Sequence, residues 1–315
     1  MFQSSENQLL LLLSVLSAFL LLVFIRMARL KFQKVEKLLP HKPEDVKDFY
    51  NKTTDKFLEV YGQIIQAFRT HNVEDYLNYT AEKIGFSKME KVLDAGCGVA
   101  GPAVHFAKQF PHLKIDAITI SEVQVEKAKT HVEENNLASQ ISISLVDYHQ
   151  MSTYFEKESY DAVYFLESFG HSPNQEHLLE EAIRLLKPGG KIYIKDLFKR
   201  ESKLDWEQQR IDEICEEINR AYEYQIPTLN NVLSTLRKNE MILNFVGVPE
   251  VASREFENLS ISNDFQELFG IGKIESWQDY IFPIDFYEIV VQKPIIKDKS
   301  KLHLYFLNNQ GEKAN

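Results

Sequence analysis

The chain has 315 residues, 44% of them hydrophobic and 26% charged, and a formal net charge of −10. That length holds one large domain or two small ones with room for a core, in a composition ordinary for a globular protein. The negative balance, with no long basic stripe, argues against a nucleic-acid partner. The two cysteines, Cys97 and Cys215, are too few for a disulfide framework, and a reducing compartment fits. No Cys/His spacing suggests zinc, so no metal is expected.

Leu9 to Ile25 is apolar except for Ser14 and Ser17, and Met27, Ala28 and Leu30 can extend it. This predicts a transmembrane helix, making residues 1–31 a membrane anchor. Arg26, Arg29, Lys31 and Lys34 follow the run, whereas Glu6 is the only charged side chain before it. The positive-inside rule then puts the main domain in the cytosol. A cleaved signal peptide would want basic residues before the run and a small-x-small site after it, and neither is clear. A soluble amphipathic helix would need a polar face, which the run lacks. Residues 32–44, with Pro40 and Pro43, form a linker. The sequons at Asn51, Asn78 and Asn258 matter only to a chain exposed to the secretory lumen.

Asp45 to Arg69 reads as a helix, with Val46, Phe49, Phe57, Leu58, Tyr61, Ile64, Ile65 and Phe68 at roughly helical spacing. Asp75 to Ile84 is a further helix. The centre of the chain follows at residues 91–102, Lys-Val-Leu-Asp-Ala-Gly-Cys-Gly-Val-Ala-Gly-Pro. Val92 and Leu93 end a buried strand, Gly96 and Gly98 leave a loop bare of side chains, and Pro102 sits in the first turn of a helix. A strand, a Gly-rich turn and a helix N-terminus make a nucleotide site, with free N–H groups expected to face the ligand. Gly96, Gly98 and Gly101 spell G-x-G-x-x-G, which taken alone suggests a dinucleotide pyrophosphate. Asp94 argues against that, because its carboxylate would face the phosphates. It suits a ligand with a cationic end. A tight turn with no ligand is the bland alternative.

At these residues the chain resembles the S-adenosylmethionine (SAM)-dependent methyltransferases of the Rossmann-like class, whose first motif is apolar-apolar-Asp-x-Gly-x-Gly. The string from Leu93 to Pro102 resembles that of the sterol C-methyltransferases and their small-molecule relatives. The resemblance implies S-adenosyl-L-methionine as cofactor, its methionine end held by Asp94, Gly96, Cys97 and Gly98. The implied fold is α/β: a Rossmann-like, mostly parallel seven-stranded sheet with helices on both faces. The βα rhythm of the chain agrees. Strands are expected at Lys91–Asp94, Lys114–Ile120, Ile141–Val146, Tyr160–Leu166, Lys191–Leu197, Met241–Val246 and Phe286–Val291, the last antiparallel as in this fold. Helices are expected at Pro102–Gln109, Glu122–Glu134 and Asn174–Leu186. Lys187-Pro188-Gly189-Gly190 supplies a turn and resembles a second methyltransferase hallmark. The domain spans 45–296, with helical covers at about 45–86 and 201–240. The second cover carries Trp206, Ile211, Ile214, Ile218 and Tyr222 on a buried stripe. A helix is expected near 263–269, and 297–315 is a polar tail.

Ligands in open α/β sheets sit at the carboxyl ends of the strands. After the second strand, Thr119, Ser121 and Gln124 stand where most methyltransferases place a ribose-binding acid. They resemble the Ile-Thr-Ile-Ser-x-x-Gln form of sterol and cyclopropane fatty acid methyltransferases; Ser121 also reads as a helix cap. After the third, Asp147, with Tyr148 beside it, is placed to accept from the adenine amino group, or simply to cap the next turn. After the fourth, Glu167 and His171 are the candidate catalytic groups, in a segment that resembles the Glu-Ser-x-x-His of small-molecule C- and N-methyltransferases. Asp196 ends the fifth. Tyr50, Tyr61, Phe169 and Trp206 are candidate substrate walls, and residues 49–55 resemble the Tyr-rich segment that covers the site in sterol and tocopherol methyltransferases. The expectation is a membrane-anchored methyltransferase acting on a small lipophilic, sterol- or isoprenoid-like acceptor. The alternatives are an N- or O-methyltransferase of a small polar metabolite, an NAD(P)-dependent oxidoreductase, and an inactive methyltransferase-like interaction domain. Oligomeric state is not legible.

Overall fold

A computed structural model describes residues 41–64, 72–249 and 281–295. Residues 41–315 form one unit, separate from residues 1–40. The anchor at 1–31, the linker up to Pro40, the helix at 263–269 and the tail at 297–315 lie outside the described residues. Among the described residues no helix is long and apolar enough to cross a membrane.

The chain opens with α1 (Pro43–Tyr61) and α2 (Val73–Ile84), then enters the βα alternation. β1 (Lys91–Ala95), α3 (Gly101–Gln109), β2 (Lys114–Thr119), α4 (Glu122–Glu134) and β3 (Ile141–Leu145) come first. The short α5 (Met151–Tyr154) leads to β4 (Tyr160–Leu166), α6 (Gln175–Leu185) and β5 (Leu186–Lys199). Then follow α7 (Asp205–Tyr222), α8 (Leu229–Lys238), β6 (Ile242–Gly247) and β7 (Ile284–Gln292). The seven strands lie in the order β3-β2-β1-β4-β5-β7-β6. The sheet is mixed, because β7 runs antiparallel to both of its neighbours while the other pairings are parallel. After β1 the chain winds outward through β2 and β3, then returns to place β4 on the other side of β1. That reversal opens a crevice at the carboxyl ends of β1 and β4.

Side chains alternate across each strand, so the apolar runs feed two cores. Val92, Tyr164 and Tyr193 pack under α2 and α3 with Phe86 and Phe106. Leu93, Phe165 and Ile192 pack on the opposite face with Leu178 and Leu179 of α6 and Leu236 of α8. Asn72, Ser121 and Asn174 each cap a helix by accepting a backbone N–H.

Two expectations need correction. Lys187–Gly190 is no separate turn but the first part of β5, which begins at Leu186, pairs with Tyr160 and shifts register before Ala162. The two glycines make this irregularity possible: Gly189 has φ +84°, and a Cβ on Gly190 would stand 2.9 Å from the Lys187 carbonyl oxygen. Trp206 is off the buried stripe of α7 and 64% exposed, whereas Ile211, Ile214 and Tyr222 are buried. At about 100° per residue, Trp206 lies about 140° around the helix from Ile211.

Candidate active site

Asp94 lies in the buried part of β1, next to its last residue Ala95 and beside Tyr164 of β4, and is 2% exposed. Asp94 Oδ2 and the Tyr164 hydroxyl are buried polar atoms with no hydrogen-bond partner among the described residues. Burial pushes the Asp94 carboxyl up to about 7, with Tyr164 nearby opposing part of the rise. A buried carboxylate oxygen without a well-formed hydrogen bond is costly, and the position suits a cation or a further donor beside the Tyr164 hydroxyl.

The loop after β1 differs from its expected role in two respects. The N–H groups of Gly96 and Cys97 do not face a ligand, because both donate to the Ile118 carbonyl, at 2.9 and 2.8 Å. They pin the loop to β2 instead. The third glycine of G-x-G-x-x-G is also explained by packing. A Cβ on Gly101 would stand 2.0 Å from the Gln63 carbonyl oxygen, where the chain leaving α1 crosses α3. Gly98 is the open position: its φ is +55°, and a Cβ there would meet nothing within 4 Å. Cys97 is buried, and burial raises its thiol well above the ordinary range.

At the end of β2, Thr119 donates to Gln124 Oε1 at 2.6 Å and accepts the Ser121 N–H at 3.3 Å. Ser121 accepts from the Gln124 backbone and donates to Asn51 Oδ1 at 2.6 Å. Asn51 of α1 also donates to Glu122 at 2.8 Å. These side chains thus come together, but much of their hydrogen bonding is spent on locking α1 to the β2–α4 turn. Asn51 lies in the 49–55 segment expected to cover the site, but its bond to the β2–α4 turn was not foreseen.

After β3, Asp147 Oδ1 accepts both the backbone N–H and the Nδ1 of His149, at 2.9 and 2.7 Å. Burial works to raise its pKa, but the hydrogen bonds from His149 outweigh this and hold it below the usual carboxylate range. The Tyr148 hydroxyl donates to the Ser168 carbonyl at 3.2 Å, bridging β3 to β4.

After β4, Glu167 and His171 are both already partnered. Glu167 has φ +56°, a conformation uncommon outside glycine and often found at functional sites. Its carboxylate pairs with Lys195, which is 2% exposed and lies over the Tyr76 and Phe286 rings at 4.4 and 4.5 Å. Burial works against the Lys195 charge, but Glu167 more than offsets it, and the pKa is raised. His171 is buried between Tyr50 and Tyr224, with ring centroids 5.1 and 4.4 Å away. Its Nδ1 lies 3.0 Å from the Glu223 carbonyl oxygen and must donate there. Nε2 therefore accepts the Tyr50 hydroxyl proton, at 2.7 Å. Burial pushes His171 down to about 4, so the ring is neutral at physiological pH.

The expected walls divide. Tyr50 and Tyr61 belong to the aromatic row of α1, with Tyr50–Phe57 centroids at 5.7 Å and Phe57–Tyr61 at 6.2 Å. Phe169 is fully buried in the α6-side core, 5.6 Å from Phe165. Trp206 points to solvent. Lys195 and Tyr224 join Asp196, the acid already expected at the end of the fifth strand, on this side of the crevice. The Tyr224 hydroxyl donates to Asp196, which also accepts the Gly170 N–H at 3.1 Å and the Leu197 N–H at 2.7 Å. Burial pushes Asp196 up to about 7. A charged Lys195–Asp196 pair inside an apolar strand was the available signal for this side of the crevice; nothing in the sequence pointed to Tyr224.

Residues 92–190 match the family model described as "Methyltransferase domain". A sterol 24-C-methyltransferase from Neurospora crassa is 36% identical over 149 residues, covering 45% of this chain and 38% of that enzyme. The matched stretch therefore spans well under half the length of that relative. Among solved structures, the [4+2]-cyclase SpnF superposes with a TM-score of 0.62 at 19% identity, covering 82% of this chain and 98% of that one. A geranyl diphosphate C-methyltransferase from Streptomyces coelicolor, crystallised with S-adenosyl-L-homocysteine, gives 0.58 at 17% identity, covering 80% and 97%. At such identities the superpositions establish the fold, and a cyclase among them shows that fold alone does not fix the chemistry. Residues 92–190 carry a methyltransferase domain, and the chain resembles the class I SAM-dependent methyltransferases, with sterol C-methyltransferases among its relatives.

Proposed function

We propose that this chain is a SAM-dependent methyltransferase, held at a membrane by residues 1–31 with its catalytic domain (45–296) on the cytosolic side. Its acceptor is a small lipophilic molecule of sterol or isoprenoid type. The observation that carries the cofactor is Asp94, a buried carboxylate with an unpartnered oxygen beside the open Gly98. The ammonium of SAM supplies the missing charge, where a pyrophosphate would repel it. Asp147 would hold the adenine, and the Thr119–Gln124 turn lies where the ribose is expected. The anchor favours a lipophilic acceptor, since a site at the bilayer concentrates membrane-soluble molecules. The sterol relative and the geranyl diphosphate enzyme, each acting on an isoprenoid-derived carbon skeleton by name, point the same way.

When bound, SAM supplies an activated methyl group on a sulfonium. The protein's part is to position the acceptor and keep water out. His171 is not the free base first expected: with Nδ1 spent on Glu223 and Nε2 on Tyr50, it fixes the Tyr50 hydroxyl. Glu167 stays with Lys195. Asp196 is likewise engaged: Oδ1 takes the Tyr224 hydroxyl and the Leu197 N–H and Oδ2 takes the Gly170 N–H, so its part is to fix the Tyr224 ring. The faces of Tyr50 and Tyr224 suit positive charge on a methylated alkene. A second reading rests on the two carboxylates here, Glu167 and Asp196, which would equally suit an amine acceptor.

The test is calorimetric titration of the full chain with S-adenosylhomocysteine. We expect micromolar binding that is lost in Asp94→Ala; no binding by folded protein would reject the cofactor. Incubation with methyl-labelled SAM and a cell extract then identifies the acceptor. Label in lipid-soluble product is expected, and label confined to water-soluble amines would favour the second reading.

A further inference from the structure

Next to Asp147 stands a hydrogen-bonded chain that neither the motif nor the fold requires. His149 Nδ1 lies 2.7 Å from Asp147 Oδ1. An ionised carboxylate only accepts, so Nδ1 carries a proton, and Nε2 lies 2.8 Å from the Ser172 hydroxyl oxygen, within hydrogen-bond distance. Ser172 Oγ in turn accepts the Asn174 N–H at 3.2 Å. On the other side, His177 stacks on His149, with centroids 6.3 Å apart and planes at 5°, and donates through Nε2 to the His149 carbonyl at 2.9 Å. The Ser–His–Asp order is that of a nucleophile triad, but Ser172 is fully buried and its oxygen is engaged at both ends. The chain is a support, not a nucleophile.

What it supports is one oxygen of Asp147. Oδ1 is saturated by two His149 donors, while no described residue engages Oδ2. Ser172 follows β4 and His149 follows β3, so the chain ties the two strand ends to each other at the site. We infer that Ser172 and His149 are positioning residues that orient the Asp147 carboxylate to read the exocyclic amino group of a purine, giving selectivity for a 6-amino over a 6-oxo base. A carboxylate accepts from a 6-amino group but meets only another acceptor in a 6-oxo base, so orientation converts directly into discrimination. This rests on the proposed SAM reading.

The test compares S-adenosylhomocysteine with its hypoxanthine analogue, S-inosylhomocysteine, by calorimetry on the full chain. The wild type should prefer the adenine ligand by about tenfold or more, as one charge-assisted hydrogen bond allows. His149→Phe keeps the ring stacking and removes both nitrogens; the preference should fall to about threefold or less, through weaker adenine binding. His149→Asn places an amide donor near the Nδ1 position and should restore most of the preference. Ser172→Ala should lie between wild type and His149→Phe. An unchanged preference in His149→Phe would overturn the inference, as would equal loss of both ligands, which marks pocket collapse. Failure of the wild type to bind either ligand would instead sink the SAM reading beneath it.

Discussion

Asp94 sets the behaviour of the site at the scale of one residue. Its folded pKa is raised to about 7 by burial, so the free protein gains stability from the neutral acid at low pH. That contribution is complete below the unfolded value near 4 and is lost as pH rises through about 7. Ligand binding has the opposite demand, because an ammonium needs the ionised form. S-Adenosylhomocysteine affinity should therefore climb from pH 5.5 to about 7 and level off above it, with a proton released on binding below about pH 7. Titrations in buffers of different ionisation enthalpy measure that proton; Asp94→Asn should bind weakly with no such pH dependence. His171 illustrates the other half of residue-scale chemistry. Its sequence position beside the methyl donor suggested a base, yet its two nitrogens are committed to Glu223 and Tyr50. A sequence names the titratable group but not which of its atoms are already occupied.

At the scale of elements, α1 is tied to the domain at several places, among them the Tyr50–His171 hydrogen bond and the Lys47–Glu122 and Asp55–Lys127 ion pairs. Asn51 bonds it to Ser121 and Glu122, and Gln63 just beyond its end lies against Gly101 of α3. Gly101→Ala separates two effects. Alanine favours the helix by about 1 kcal/mol, but its Cβ would meet the Gln63 carbonyl oxygen at 2.0 Å. The steric term, about 1–3 kcal/mol as overpacking typically costs, should outweigh that gain and leave a net destabilisation of up to about 2 kcal/mol. The expected result is earlier proteolysis near residues 61–64 and weaker S-adenosylhomocysteine binding, in a protein whose sheet still unfolds cooperatively. Limited proteolysis with mass mapping checks it; wild-type cleavage kinetics would mean that this contact does not hold α1. The third glycine of the motif thus has a packing reason, the chain just beyond α1, that the motif itself does not reveal. β5 teaches the same lesson, since Pro188-Gly189-Gly190 has the local chemistry of a turn but lies within a pairing strand.

For the whole molecule, the arrangement of interest is a Rossmann-like domain behind an apolar N-terminal run. The proposal that residues 1–31 anchor it predicts that the full chain sediments with membranes and resists extraction at high salt and alkaline pH. A chain starting at residue 32 should move to the supernatant and, assayed on a lipophilic acceptor in vesicles, lose activity while keeping affinity for S-adenosylhomocysteine. Retention of the shortened chain on membranes would place the membrane contact in the folded domain instead.

The sequence by itself determined the order of elements, the two-sided apolar strands and the strand–turn–helix that follows β1. Those features rest on local chemistry: period-two burial, glycines at a turn, and an acid at a strand end. Helix α4 and strand β4 have the limits the pattern predicts, Glu122–Glu134 and Tyr160–Leu166. Only the tertiary structure decided the acceptor end. Phe169 and Trp206 carry the right chemistry for a wall, yet one is buried in the opposite core and the other faces solvent. Lys195, Tyr224 and Asn51 enter the site from β5, the end of α7 and α1, far apart in the chain. Partners that meet across such separations leave no periodic trace in the sequence, because it is the folded packing that selects them.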